Sequence, residues 1–151
     1  MKRYEWETEI LSLLCAFEST TISRDAWKHA EDLTVALCYL SHHDLEIATK
    51  KMRSGIFKLL RSFGVDLRTE IPYHETLTGF WMRTVAEFNA SKNGPSLLDK
   101  VNEVVAKYDK DYPLRFYRTE LLFSDEARAK FVENDLSLSK TSPSDTKRKE
   151  L

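Results

Sequence analysis

Apolar residues recur every three or four positions along most of the chain, which is the spacing of one face of an α-helix. No segment keeps the alternating pattern that is typical of a β-strand. The pattern predicts a first helix over Tyr4–Glu18. It predicts a second that begins after a cap at Ser23 or Asp25 and runs to Ser41.

Three more long helices follow, and each is bounded by residues that are typical of helix ends. They run from a cap at Asp44 to a terminator at Gly64, from Tyr73 or His74 to Ala90, and from a cap at Ser96 to Tyr108. Two short helices are expected over Leu114–Leu122 and from Ser124 to near Val132. Five main helices with mostly short connections predict an all-α, up-and-down bundle, with one or two short C-terminal helices packed across it.

The irregular segments divide the chain into one domain and a tail. Residues 65–72 are expected to form a loop closed by Pro72, and residues 92–95 a turn. From residue 137 the composition changes to serine, threonine, lysine and proline. We therefore expect a single helical domain over residues 1–136 and a flexible tail over residues 137–151.

The charge balance argues against two classes of partner. The 23 basic and 24 acidic residues give a net charge of −1, so there is no overall field to attract nucleic acid or an anionic membrane. No apolar run has the length of a membrane span. Cys15 and Cys38 lie on apolar stripes and are expected to be buried free thiols, which indicates a reducing, cytoplasmic location. A protein partner and the oligomeric state stay open.

Two histidines are candidates for a shared site. His29 and His74 both fall on the apolar face of their helices, and each lies near the helix start. In an up-and-down bundle the second and fourth helices run parallel, so their N-terminal ends lie together. The topology therefore predicts that these two imidazoles face the same semi-buried pocket.

Further polar and aromatic residues are expected around that pocket. Asp32 follows His29 by three residues, and Glu75 follows His74 directly. Thr78, one helical turn after His74, is expected to hydrogen-bond its ring. The complete candidate set for ligand binding is His29, Asp32, Arg53, Tyr73, His74, Glu75, Thr78 and Trp81, with Arg53 as a clamp for an anionic ligand.

Two histidines and a carboxylate can hold a divalent transition metal, and His29, His74 and Glu75 are the candidate ligands. The same residues would serve as a general acid–base pair. The alternative is a structural network in which the histidines only hydrogen-bond nearby loops and Glu75 favours the helix start. No catalytic residue is assigned, and the spacing matches no diagnostic metal motif.

Two other patterns favour structural interpretations. His43 and Asp44 form the pair found in metal-dependent phosphohydrolases of the HD type, but here the pair lies in a turn and Asp44 is explained as a helix cap. Four arginines near apolar faces are more simply explained by salt bridges than by anion binding. They are Arg53, Arg83, Arg118 and Arg128.

Four segments carry a resemblance to a known family: AWKHAEDLTVALCYL, KMRSGIFKLL, YHETLTGFW and LFSDEARAKFVENDL. Together they resemble small, uncharacterised, mostly bacterial helical proteins with W-T-H-x-x-H-L and Y-H-E-T-[LI]-T motifs. The resemblance implies a helical fold but no activity. The positions that match are His29, Arg53, His74, Glu75, Thr76, Thr78 and Arg128. Asp32 stands where the family has a second histidine, which would weaken a zinc-type site.

Two functional hypotheses follow from the sequence. In the first, the His/carboxylate pocket binds a metal or a small anionic molecule. In the second, the protein is a non-catalytic interaction module whose histidines are structural.

Overall fold

The computed structural model describes residues 2–66, 73–92 and 96–136, and every regular element in these ranges is helical. The five long helices are α1 (Glu7–Glu18), α2 (His29–Leu40), α3 (Leu45–Ser62), α4 (Glu75–Ala90) and α5 (Leu97–Lys107). A 3₁₀ turn (Tyr112–Arg115) and two short helices, α6 (Thr119–Leu122) and α7 (Asp125–Ala129), complete the fold. The predicted all-α bundle is confirmed.

Helix α2 forms the centre of the bundle and packs against α1, α3, α4 and α5. All but three of its residues are buried, because its sequence from Leu33 to Leu40 is apolar around the whole helix apart from Thr34. A helix that is apolar all round needs neighbours on every side. The other helices are amphipathic and supply the apolar faces that cover it.

The predicted caps account for the ends of the later helices. Asp44, Ser96 and Ser124 each accept a hydrogen bond from a backbone N–H of the following first turn, at 2.9 to 3.2 Å. Gly64 follows α3 with φ +83°, a conformation that favours glycine. The assignment of Asp44 as a helix cap, rather than as half of a phosphohydrolase motif, is therefore supported.

The structure corrects three local predictions. Helix α2 begins at His29, because the backbone around Ser23 closes a separate turn that ends at Trp27. The helix expected over Leu114–Leu122 is divided into the 3₁₀ turn and α6. Cys15 is exposed rather than buried, whereas Cys38 is buried as predicted.

Three predicted segments lie wholly or partly outside the described residues. They are the loop closed by Pro72, the turn over residues 92–95 and the tail over residues 137–151. Within the described ranges, no helix combines the length and the apolar character that crossing a membrane requires.

The segment that follows α7 is attached to α4. The buried hydroxyl of Thr76 donates to the carbonyl of Lys130 and accepts from the N–H of Val132, both at 3.0 Å. The ring of Phe131 lies against Gly79, where an added Cβ would be 2.7 Å from it. These contacts fix the C-terminal helices across the start of α4.

Candidate functional site

A cavity of about 370 Å³ lies between α2, α3 and α4, near the N-terminal ends of α2 and α4. We call it the Asp32 cavity. The described residues that line it are Trp27, His29, Asp32, Leu33, Ala36, Met52, Ile56, Leu60, Tyr73, His74, Leu77, Thr78, Trp81, Met82 and Lys110. Its walls are mainly apolar and aromatic, with a few polar groups.

His29 and His74, which lie at the starts of the second and fourth helices, line this one cavity, as predicted. His29 is the first residue of α2, and its Nε2 lies 3.0 Å from the carbonyl oxygen of Tyr108. Because a carbonyl only accepts, Nε2 must carry the proton. Within the described part of the chain, no protein group bonds Nδ1 of His29. The ring is tilted against Trp81, with their centroids 4.8 Å apart.

His74 has a different role, because both of its ring nitrogens are engaged by the protein. It precedes the first residue of α4, and its Nδ1 accepts the N–H of Leu77 at 3.1 Å. Its Nε2 donates to the carbonyl of Leu122 at 2.6 Å. This arrangement requires a neutral ring with the proton on Nε2. Burial lowers the pKa of His74, and the positive charge of Arg128 lowers it further. His74 therefore caps α4 and connects it to α6.

Glu75 and Arg53 form an ion pair away from the cavity. The guanidinium donates to both carboxylate oxygens, at 3.0 and 2.7 Å, and the hydroxyl of Tyr73 donates to the same carboxylate at 2.6 Å. Burial alone would raise the pKa of Glu75, but the bonds from Arg53 and Tyr73 outweigh it and lower that pKa. Both charged side chains line an outer groove beside Gly79. Arg53 is thus not positioned as a clamp for a ligand in the Asp32 cavity.

The structure does not bring the three candidate metal ligands together. His74 has no free nitrogen, and Glu75 is bound by Arg53 and Tyr73. Among the described residues, no three histidine, cysteine, aspartate or glutamate side chains form a group that could hold a metal ion. His29, His74 and Glu75 do not converge because adjacent residues at the start of α4 point in different directions.

Asp32 is the unusual member of the cavity. Its carboxylate makes no hydrogen bond or ion pair with any described residue, although its neighbour Glu31 accepts from the N–H of Lys28 and pairs with Lys2. Asp32 is half-buried and lines the cavity, and its unbonded oxygens keep accessible surface. This burial raises the pKa of the Asp32 carboxyl to about 7. Asp32 is therefore an ionisable carboxyl without a partner in the part of the chain that the structure describes.

The remaining three candidates all line the cavity. Trp81 is 7% exposed and forms part of the wall, as predicted. Tyr73 also lines the cavity, and burial raises its pKa to about 12. Thr78 lines the cavity but does not bond the ring of His74, whose partners are Leu77 and Leu122. It interacts with Tyr73 instead.

Two of the other arginines take part in ion pairs. Arg83 pairs with Glu133 at 3.8 Å, and its guanidinium lies 4.2 Å from the centre of the Phe131 ring. Arg118 pairs with Asp135 at 2.6 Å. The salt-bridge interpretation therefore applies to these residues as it does to Arg53.

Several cavity residues were not among the candidates. Lys110, which is exposed, comes from the connection after α5. Met52 and Ile56 lie on the apolar stripe of α3. Periodicity identifies such residues as buried, but it does not distinguish a packed core from a cavity wall.

Comparisons of this chain with protein-family models, with curated proteins and with solved structures find no match. The resemblance to the bacterial helical family stays a prediction.

Proposed function

We propose that this protein binds a small organic molecule in the Asp32 cavity. The observation that carries the proposal is the carboxylate of Asp32, which has no partner among the described residues and lines a mainly apolar cavity. A charged group in such surroundings costs folding free energy unless something pairs with it. A ligand would supply that partner.

The size and composition of the cavity support the same proposal. At about 370 Å³ it lies within the range of about 300 to 1,000 Å³ that is typical of small-molecule sites. Such sites combine apolar and aromatic walls with a small number of polar groups. Asp32 and the unbonded Nδ1 of His29 are polar groups of this kind, on one face of α2.

The alternative of an interaction module with structural histidines applies to only part of the arrangement. His74 fits it, because both ring nitrogens bond the protein. Asp32 does not, because a structural carboxylate in this position would be expected to have a partner. We therefore favour ligand binding over the alternative.

Tryptophan fluorescence can test the proposal. The chain has three tryptophans; Trp27 and Trp81 line the cavity, whereas Trp6 is 67% exposed. In a Trp6→Phe background, the fluorescence therefore reports on the cavity. We expect at least one of the probes 2-phenylethylamine, 2-phenylethanol and phenylacetate to change it saturably at millimolar concentration.

A cavity-filling variant provides the control. Ala36 is 2% exposed and lines the cavity, so Ala36→Phe should occupy the space and weaken probe binding at least tenfold. Ala106→Phe makes the same change at an exposed position of α5 and should leave binding unaltered. The proposal is overturned if no probe binds, or if a folded Ala36→Phe protein binds as well as its parent. If Ala36→Phe does not fold, chemical shifts of the two indole N–H groups in the Trp6→Phe protein identify the site instead.

A further inference from the structure

We infer that the ligand of the Asp32 cavity carries an ammonium group on an apolar body, with the ammonium paired to Asp32. This inference rests on the proposed function and names the chemical class of its ligand. It replaces the anionic ligand expected from the sequence, which depended on Arg53.

The charges around the cavity favour a cation. Arg53 bonds both oxygens of Glu75 in the outer groove. The side chain that the sequence predicted as a clamp for an anionic ligand is therefore paired outside the cavity. The N–H of Leu77 at the start of α4 is occupied by Nδ1 of His74. Lys110 is exposed, and it forms no ion pair with Asp32. The carboxylate of Asp32 therefore remains available to a positively charged ligand.

The aromatic walls favour the same ligand. Trp27, Tyr73 and Trp81 line the cavity together with Asp32. The faces of aromatic rings attract cations, and tryptophan does so most strongly. A carboxylate with several aromatic rings can replace the hydration shell of an ammonium group, whereas an isolated carboxylate in an apolar wall would repel an anion.

The apolar lining of the cavity accounts for the apolar part of the ligand. Leu33, Met52, Ile56 and Met82 supply flexible or branched aliphatic surface. The ring of Trp27 is held in place by stacking on Phe17, with centroids 4.9 Å apart. A planar ring or short hydrocarbon body fits between such walls without requiring further polar groups.

The three probes separate this inference from the proposed function. They have one aromatic ring in common and differ in charge: 2-phenylethylamine is a cation, 2-phenylethanol is neutral and phenylacetate is an anion. In the Trp6→Phe protein we expect the amine to bind at least tenfold more tightly than the alcohol, and phenylacetate to bind most weakly. Titration calorimetry on the unmodified chain provides an independent measurement of this ranking of affinities.

Asp32→Asn is the decisive variant, because it removes the charge and keeps the shape. We expect the preference for the amine over the alcohol to fall to about threefold or less, with binding of the alcohol retained. Lys110→Met removes a positive charge that lines the cavity, so it should strengthen amine binding about two- to threefold. Thermal unfolding shows whether each variant is folded.

Each outcome decides one question. If the alcohol or phenylacetate binds best and Ala36→Phe still weakens binding, the cationic ligand is overturned while the proposed function stands. The same conclusion follows if Asp32→Asn leaves the preference for the amine unchanged. If no probe binds, both the proposed function and this inference fail.

Discussion

Helices α2 and α4 begin in similar ways but use their polar residues differently. Each begins at or next to a histidine; the first turn of α2 holds two carboxylates and that of α4 holds one. At α4, both nitrogens of His74 and both oxygens of Glu75 have protein partners. At α2, His29 uses one nitrogen and Asp32 has no partner among the described residues.

The difference teaches which polar residues hold the fold together. A buried polar group that is fully hydrogen-bonded stabilises its surroundings, and removing it leaves its partners unpaired. A half-buried carboxylate such as that of Asp32, with no partner among the described residues, lowers stability, so its presence requires another explanation. On this criterion the start of α4 is structural, and the start of α2 is the place where a ligand would bind.

The substitution with the largest expected effect on the free energy of unfolding is at His74. His74→Ala leaves the N–H of Leu77 and the carbonyl of Leu122 without their bonds, and we expect a loss of about 2 to 3 kcal/mol in the free energy of unfolding. Urea unfolding at pH 7.5 measures it. An equal loss in His29→Ala, which removes one hydrogen bond, would contradict the distinction between the two histidines.

His74→Asn is the matched control, because asparagine is a good helix cap but is too short to reach Leu122 as well. It should recover about half of the loss. The wild-type protein also needs His74 neutral, and its pKa is lowered in the fold. The stability that this provides is complete above the ordinary histidine pKa of about 6.5 and declines as the pH falls through the lower, folded value. His74→Asn should remove that decline.

Asp32→Asn has the next largest expected effect, and its sign is opposite. The pKa of Asp32 rises from 3.8 to about 7 on folding, so the folded state binds more protons between these values. The unfavourable charge is therefore absent below about pH 4 and complete above about pH 7. We expect Asp32→Asn to stabilise the protein by about 1 to 2 kcal/mol at pH 8. The N-terminal end of α2, which favours the charged form, limits the gain.

Unfolding of the wild-type and Asp32→Asn proteins at pH 4, 6 and 8 tests this result. His29, His74 and Lys110 also line the cavity, so the difference between the two proteins, rather than either pH profile alone, reports on Asp32. A variant that is less stable than the wild type at pH 8 would show that the carboxylate has a stabilising partner.

Glu75→Gln should have the smallest effect of the three. It weakens an ion pair in which the Arg53 and Glu75 side chains are 36% and 19% exposed, and we expect a loss of about 0.5 to 1 kcal/mol. The loss should shrink as salt is raised, since solvent ions screen the pair. Probe binding should not change, because Glu75 does not line the cavity. Altered amine affinity in Glu75→Gln would contradict the separation of the two sites.

Much of the fold could be predicted from particular residues. Asp44, Ser96 and Gly64 mark helix ends through local hydrogen bonds and backbone conformation, and these do not depend on distant contacts. The start of α2 could not be predicted in this way, since Ser23 is an equally good cap for the isolated turn that precedes it. Cys15 was misplaced because α1 buries a narrower face than its apolar residues indicate.

Only part of the candidate site could be predicted from the sequence. Periodicity and helix parity placed His29, Asp32, His74 and Trp81 at one end of the bundle, and all four line the Asp32 cavity. The direction of each polar group was not accessible, because a hydrogen bond such as that from His74 to Leu122 joins residues 48 positions apart. Lys110 was not predicted, because only the packing of the folded chain brings the connection after α5 to the cavity.

The sequence by itself determined most of the helices and the end of the bundle where polar residues collect. These properties follow from periodicity and local capping, which act over a few residues. Only the tertiary structure decided that His74 and Glu75 are hydrogen-bonded by other protein groups and that Asp32 has no such partner among the described residues. Whether a buried polar group has a partner depends on atoms that come together only when the chain has folded, and that partnership separates a structural residue from one that can bind a ligand.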